Sequence, residues 1–383
     1  MKHLALLSFI KNYRMRKIIC TTMLLLLALA GNAGTPVATK SRVCLAYVTN
    51  RLRQIPDPTL VTHINFSFAE VYVENNEYKG FKLQGNDNVE NFKKVIDLKK
   101  INPDLKILVS FSDGVSNKDN HRDGGFSAIA ASKKNRKAFA KDCLEFVKKW
   151  GIDGIDLDWE MPGISWGNAA CDPINDVDNY TSLMKQLRKT LGKKYLLTLA
   201  GYVMDKQRQD NGEGWKFFDL KAIKPYINWV NIMTYDLDDG SKGRRGFNSA
   251  VKSSTSFWDV ERTIEAYTAA GYDASQMVIG IPFYVRHSFE HSADAAIVYR
   301  ERNKYTEEMG FKFDNWDDEA MVPYVTKDGE FYGSYENERS IAIKGDLYVG
   351  TGKVRGLMYW EASHDDSDYQ LSRACWNAVM KKY

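Results

Sequence analysis

Apolar residues along the chain fall into two alternating patterns. Short runs rich in aliphatic and aromatic side chains read as β-strands: Val43–Val48, Val61–Ala69, Lys106–Ser112, Gly154–Glu160, Tyr195–Tyr202, Ile227–Tyr235, Met277–Tyr284 and Val354–Trp360. Between them, apolar positions recur at helical spacing. Before the fourth run, Phe139, Cys143, Phe146, Val147 and Trp150 form one stripe and Gly151 supplies a stop. Near Tyr180–Leu191, the residues Leu183, Met184, Leu187 and Leu191 do the same before Gly192. Strands alternating with helices predict a parallel sheet. Eight such units, with Tyr47-Val-Thr-Asn50 where an open dinucleotide-binding sheet has a glycine-rich turn, predict a closed α/β fold, the (β/α)8 TIM barrel.

One interval breaks the rhythm. About seventy residues separate Arg286 from Lys353, where a few helical turns would join two strands. The patches Phe311-Lys-Phe313, Pro323-Tyr-Val325 and Gly329–Gly333 within it predict a small, mostly antiparallel α+β insertion. The expected organisation is thus a barrel over 34–383 with an insertion over 286–353, between strands seven and eight. Barrels of this kind build their sites from the C-terminal ends of different strands. Tyr47, Phe66, Phe68, Ser110, Ser112, Asp156, Asp158, Glu160, Tyr235, Asp236 and Trp360 stand at those ends.

The fourth strand, Asp153-Gly-Ile-Asp-Leu-Asp-Trp-Glu160, departs from what a buried parallel strand should look like. Side chains alternate with period two, so Ile155, Leu157 and Trp159 share one face and Asp156, Asp158 and Glu160 the other. Neighbouring carboxylates on that face lie about 6–7 Å apart, and ionised together they repel, so at least one should hold a proton at neutral pH. A structural role needs cationic partners, and few stand at strand ends; a hard metal ion would usually draw single ligands from several strands. Acid–base chemistry is the remaining reading, with Glu160 at the mouth as proton donor, Asp158 turning between its neighbours, and Asp156 held by hydroxyls such as Tyr47 and Ser110. Asp153 has the opposite parity and reads as structural.

The first thirty-three residues differ from the rest. Basic residues precede the apolar run Ile18–Ala30 and small residues follow it, the order of a secretory signal peptide over 1–33. Export to the periplasm, cell surface or medium is expected, with no membrane span in the mature chain. The formal net charge is +4; residues 1–33 hold five Lys or Arg and no Asp or Glu, which leaves −1 for the remainder. That balance gives no support to a nucleic-acid partner. Beyond Cys20 in the leader, Cys44, Cys143, Cys171 and Cys375 show no metal-binding spacing, and Cys44 and Cys143 sit in apolar patterns that suit buried thiols. No cofactor and no metal is expected.

Asp153–Glu160 resembles the D-x-x-D-x-D-x-E signature of family 18 glycoside hydrolases, the chitinases and endo-β-N-acetylglucosaminidases. Thr62-His-Ile-Asn-Phe-Ser-Phe68, Met233-Thr-Tyr-Asp236, Gly280-Ile-Pro-Phe-Tyr284 and Gly356-Leu-Met-Tyr-Trp360 resemble its second, sixth, seventh and eighth strands in the family's order, over roughly residues 42–376. The resemblance implies a retaining mechanism without a protein nucleophile, in which the substrate's 2-acetamido oxygen attacks the anomeric carbon. Glu160 would be the acid and base, Asp158 would orient the acetamido N–H, Asp156 would assist Asp158, and Tyr235 would bond the acetamido carbonyl. Tyr47, Phe66, Ser110, Met233, Asp236 and Trp360 would line the sugar. The implied substrate contains N-acetylglucosamine, with β-1,4-linked chitin or chitooligosaccharides favoured by the insertion. Alternatives are an N-glycan core or a catalytically silent, chitin-binding relative. The third strand departs from the family's S-x-G-G pattern at Ser110-Phe-Ser112-Asp113-Gly114, and an aromatic on the leaving-group side is missing. Trp166, Tyr202, Trp215 and Trp258 are the aromatics available to replace it.

Overall fold

Eight parallel strands close into a ring in the computed structural model, which describes residues 41–85, 88–112, 125–163, 171–202, 218–237, 246–255, 258–287 and 296–383. The proposed leader and Asp113, Gly114, Trp166 and Trp215 lie outside the described residues. The barrel strands are β1 (Val43–Thr49), β2 (His63–Glu74), β4 (Lys106–Ser112), β5 (Gly154–Asp158), β6 (Leu196–Gly201), β7 (Trp229–Ile232), β8 (Met277–Pro282) and β14 (Gly356–Trp360). Each pairs in parallel with its neighbours, and β1 pairs with both β14 and β2, which closes the ring. Every residue of β5, β7 and β8 is buried, because the ring interior covers one face and the outer helices the other.

The helices form where the stripes predicted them. Helix Lys133–Trp150 starts at Ser132, whose side chain accepts from the Asn135 N–H, and stops at Gly151 in the left-handed region. It buries Phe139, Cys143 and Val147. Helix Asp176–Leu191 begins about a turn earlier than its apolar stripe. Asp176 is fully buried and accepts from Ser127 Oγ and from the N–H groups of Gly163 and Asp172, contacts that no local periodicity encodes.

Two features stand outside the regular strand–helix alternation, a hairpin that the sequence pattern did not predict and the insertion that it did. Strand β2 runs past Ala69 to Glu74 and turns back through Asn75 and Asn76, both at positive φ, into the antiparallel strand β3 (Glu77–Leu83). Beyond Ala69 it alternates buried Val71 and Val73 with outward residues, the pattern of a strand covered on one side only. Phe81 of β3 then packs edge-on against Phe111, Phe139 and Phe146. Between β8 and β14, a five-stranded sheet comprises β9 (Tyr284–His287), β10 (Ile297–Val298), β11 (Phe311–Asp317), β12 (Val322–Lys327) and β13 (Glu330–Ser334), in the order β10-β9-β13-β12-β11. Because β9 follows β8 after one residue, this sheet grows directly from the barrel mouth. Helix Glu338–Lys344 leads the chain back, and its Lys344 forms a wholly buried ion pair with Glu336. The Cys44 and Cys143 thiols are buried in the core. Among the described residues, no helix is long and apolar enough to cross a membrane.

Candidate active site

Asp156 lies in the middle of the barrel, fully buried, and four side chains from four other strands converge on it. Tyr47 and Ser110 donate to Oδ2 at 2.9 and 2.8 Å; Thr198 and Asn231 donate to Oδ1 at 2.5 and 3.2 Å. Burial pushes its carboxyl above the usual range and these four donors pull the other way. Donors on both oxygens therefore hold the Asp156 carboxyl in place. Thr198 and Asn231 were not among the residues collected from the sequence. They sit mid-strand, in Leu196-Leu-Thr-Leu and Trp229-Val-Asn-Ile, where a polar residue flanked by inward-outward apolar neighbours was the available signal.

Tyr47 and Ser110 donate their hydroxyls to Asp156, as the reading of the acidic strand expected, and their burial corrects only their placement along the sugar. Phe66 is a second correction. Its neighbours Asn65 and Ser67 have the inward parity, and the Phe66 ring is fully buried on the outer face against Phe92 of helix Asn88–Asp97, at 4.9 Å. The aromatic of that strand at the mouth is Phe68, stacked on Trp360 at 5.7 Å. Trp360 is half-buried and also meets Tyr47 at 5.6 Å, so its indole is held by contacts with two rings at this end of the barrel.

Glu160 stands two residues past the end of β5 and is exposed. It hydrogen-bonds Asp158, which is 6% exposed. Desolvation by the surrounding walls is the main cause that raises the Glu160 carboxyl, the Asp236 carboxylate adds to the rise, and the bond to Asp158 opposes it. A carboxyl both accessible and protonated above the usual range is the state a proton donor needs. Asp153, of opposite parity, pairs with Lys99 at 2.5 Å and accepts from the Ile107 N–H, at the far end of the strand.

Met233, Tyr235 and Asp236 follow β7 at the same mouth. Met233 and Tyr235 are nearly buried, at 9% and 8% exposure. A Cβ on Gly280 would lie 2.6 Å from Tyr235 Cε1 and 2.7 Å from Met358 Cε, so the absence of a side chain at 280 leaves room for the Tyr235 ring. Asp236 Oδ1 accepts from Tyr284 Oη at 2.8 Å and lies 3.6 Å from Arg286 Nη1. Burial raises the Asp236 carboxyl and Arg286 lowers it. Tyr284 and Arg286, both on β9, are contributions of the insertion edge that the strand-end search did not select. Trp258 and Tyr202 meet edge-on at 5.6 Å. Among the described residues, no group of three or more His, Cys, Asp or Glu is arranged to hold a metal ion.

A family model described as Glycosyl hydrolases family 18 matches residues 43–365. Chitinase A1 of Niallia circulans is 25% identical over 396 residues, spanning 81% of this chain and 53% of its own length. Chitotriosidase-1 of Mus musculus is 26% identical over 351 residues, spanning 84% and 71%. The chain covers about half the length of Chitinase A1 and of a probable endochitinase of Caenorhabditis elegans. Among solved structures, a family 18 N-acetylglucosaminidase of Paenibacillus barengoltzii superposes with a TM-score of 0.70 at 26% identity, covering 88% of this chain and 99% of that one. Chitinase ChiW of Paenibacillus sp. superposes at 0.72 with 28% identity, covering 89% and 43%.

Proposed function

The chain belongs to glycosyl hydrolase family 18, and on that footing we propose that it is a retaining glycosidase acting on β-1,4-linked N-acetylglucosamine oligomers. The observation that carries this reading is the graded carboxylate column: Asp156 pinned by four donors, Asp158 bonded to Glu160, and Glu160 raised and open to solvent. Family membership supplies the assignment of roles. With a sugar on Trp360, Glu160 protonates the leaving oxygen while the substrate's acetamido oxygen attacks C1, forming a cyclic oxazolinium ion. Asp158 accepts the acetamido N–H and stabilises the developing positive charge; Tyr235 Oη bonds the acetamido oxygen and orients it. Glu160, now ionised, takes a proton from water as that water opens the ring, restoring the starting protonation. Both displacements occur at C1, so configuration is retained.

Chitinase names among the relatives support chitin or chitooligosaccharides as substrate. A second reading, release of terminal N-acetylglucosamine, is favoured by the near-complete coverage of the Paenibacillus barengoltzii N-acetylglucosaminidase. Residues 1–33 support export. The test is incubation with chitohexaose and, in parallel, a high-mannose glycoprotein, with anomer-resolved product analysis. Short N-acetylglucosamine oligomers as β-anomers are expected, and monomer alone selects the second reading. Cleavage of the glycoprotein alone, or α-anomeric products, would overturn the proposal.

A further inference from the structure

Asp236 occupies the left-handed backbone region, with φ +55°, which is uncommon outside glycine and which Asp tolerates. One side chain ties it to the neighbouring segments. Asn248 Oδ1 accepts from the Asp236 N–H at 2.8 Å, and its Nδ2 donates to the Tyr284 carbonyl at 3.1 Å. Tyr284 Oη returns to Asp236 Oδ1 at 2.8 Å, so the three residues make a closed ring of contacts between the end of β7 and the start of β9. Asn248 is 1% exposed and makes these bonds with both ends of its amide, one as acceptor and one as donor.

Asn248 is itself held from the insertion side. Its N–H donates to Ser334 Oγ of β13 at 2.7 Å. The next residue, Ser249, donates from Oγ to the Thr234 carbonyl at 2.5 Å and accepts from Lys344 Nζ at 2.8 Å. Ser334 and Lys344 are fully buried, and Lys344 is paired with Glu336. Thus the segment from Thr234 to Asp236 is tied through Asn248 and Ser249 to β13 and to helix Glu338–Lys344. We infer that Asn248 is a positioning residue for the reaction, which fixes the Asp236 carboxylate against Tyr284 and makes the insertion sheet a structural part of the catalytic pocket.

The consequence reaches the proton donor. Glu160 is faced by Asp158, Tyr235 and Asp236; Asp236 is faced by Tyr284, Tyr235, Arg286 and Glu160. The Asp236 charge helps keep Glu160 protonated, so letting Asp236 swing away lowers the Glu160 pKa and moves the alkaline limb of activity to lower pH. A residue that merely fills space would alter thermal stability and leave that limb in place.

The inference rests on the proposed glycosidase activity, and the test separates the two. Asn248→Ala, Asp236→Asn and the double variant are compared with the parent for kcat, KM and pH profile on an aryl chitobioside, with thermal unfolding as the check on folding. Asn248→Ala removes both side-chain bonds and is expected to lower kcat by about tenfold, the worth of the hydrogen bond that holds the Asp236 N–H, to shift the alkaline limb to lower pH, and to add little in the Asp236→Asn background. Independent multiplication of the two losses, or an unmoved limb, would overturn it. Where Asn248→Ala does not fold, Ser334→Ala is expected to shift the limb in the same direction, and an unmoved limb overturns the inference. Turnover by the parent decides the activity first; without it, carboxyl-carbon NMR titration of Glu160 in parent and variant reads the same downward shift, whose absence overturns the inference.

Discussion

Gly280→Ala tests whether the Tyr235 ring has to stand where it does. The new Cβ would lie 2.6 and 2.8 Å from two ring carbons of Tyr235 and 2.7 Å from Met358 Cε. Ordinary contact begins near 3.4 Å, so one or both neighbours move by roughly 0.6–0.8 Å. Met358 Cε is the free end of a flexible chain and yields at little cost. Tyr235 is rigid and meets Tyr284 edge-on at 6.4 Å, so its displacement carries its hydroxyl with it. A misplacement of about 1 Å at a reacting centre costs up to roughly a hundredfold in rate, while overpacking costs about 1–3 kcal/mol of stability. The expected outcome is a kcat loss of about ten- to a hundredfold on an aryl chitobioside, with a modest fall in Tm. In a Tyr235→Phe background, Gly280→Ala should cost little more, since the hydroxyl it displaces is gone. Met358→Ala in addition should restore part of the rate. Unchanged kcat in a folded Gly280→Ala protein would refute the assignment of Tyr235, and so would two losses that multiply.

Glu160→Gln removes the proton and is expected to lower kcat by about 10²–10⁴-fold with KM little changed; turnover equal to the parent's would remove Glu160 from its role. In the parent, the acid form is required and its pKa is raised, so kcat/KM should hold above the ordinary carboxyl range and fall as pH rises through that raised value. A pH profile that declines from about pH 4 upward would contradict the raised value. Asp156 gives a stability prediction. Its folded pKa is raised above the unfolded one, so its contribution is full below about pH 4 and is lost as pH rises through the folded value. Ser110→Ala removes one donor and raises that value further, so its cost in urea unfolding should grow with pH, to about 1.5–3 kcal/mol where Asp156 is ionised. Equal costs at pH 4 and 8 would mean that Asp156 does not change protonation state between them, against its raised value. Lys344→Met leaves Glu336 buried without its partner and should cost about 3–5 kcal/mol, which Lys344→Met/Glu336→Leu largely recovers; a double variant as unstable as the single one would place the cost elsewhere.

How far the sequence carries depends on whether a feature is written in local period or in register between distant segments. The barrel was legible because each strand and helix declares itself within about ten residues, and the column Asp156, Asp158, Glu160 because three carboxylates at period two contradict a buried parallel strand. Phe66 stands at a strand end but has outward parity: Asn65 and Ser67 face inward, so Phe66 has to face Phe92. Thr198 and Asn231 were readable in principle, being polar at inward positions of strands otherwise apolar, but only once β6 and β7 are aligned with β5 does Thr198 fall opposite Asp156. Asn248 carries no such local signal. It belongs to no strand or helix, and its partners Asp236, Tyr284 and Ser334 come from 12, 36 and 86 residues away. Local periodicity names the candidates for the chemistry, because they break it; the residues that hold them in place look ordinary in their own segments, and register between strands is what reveals them.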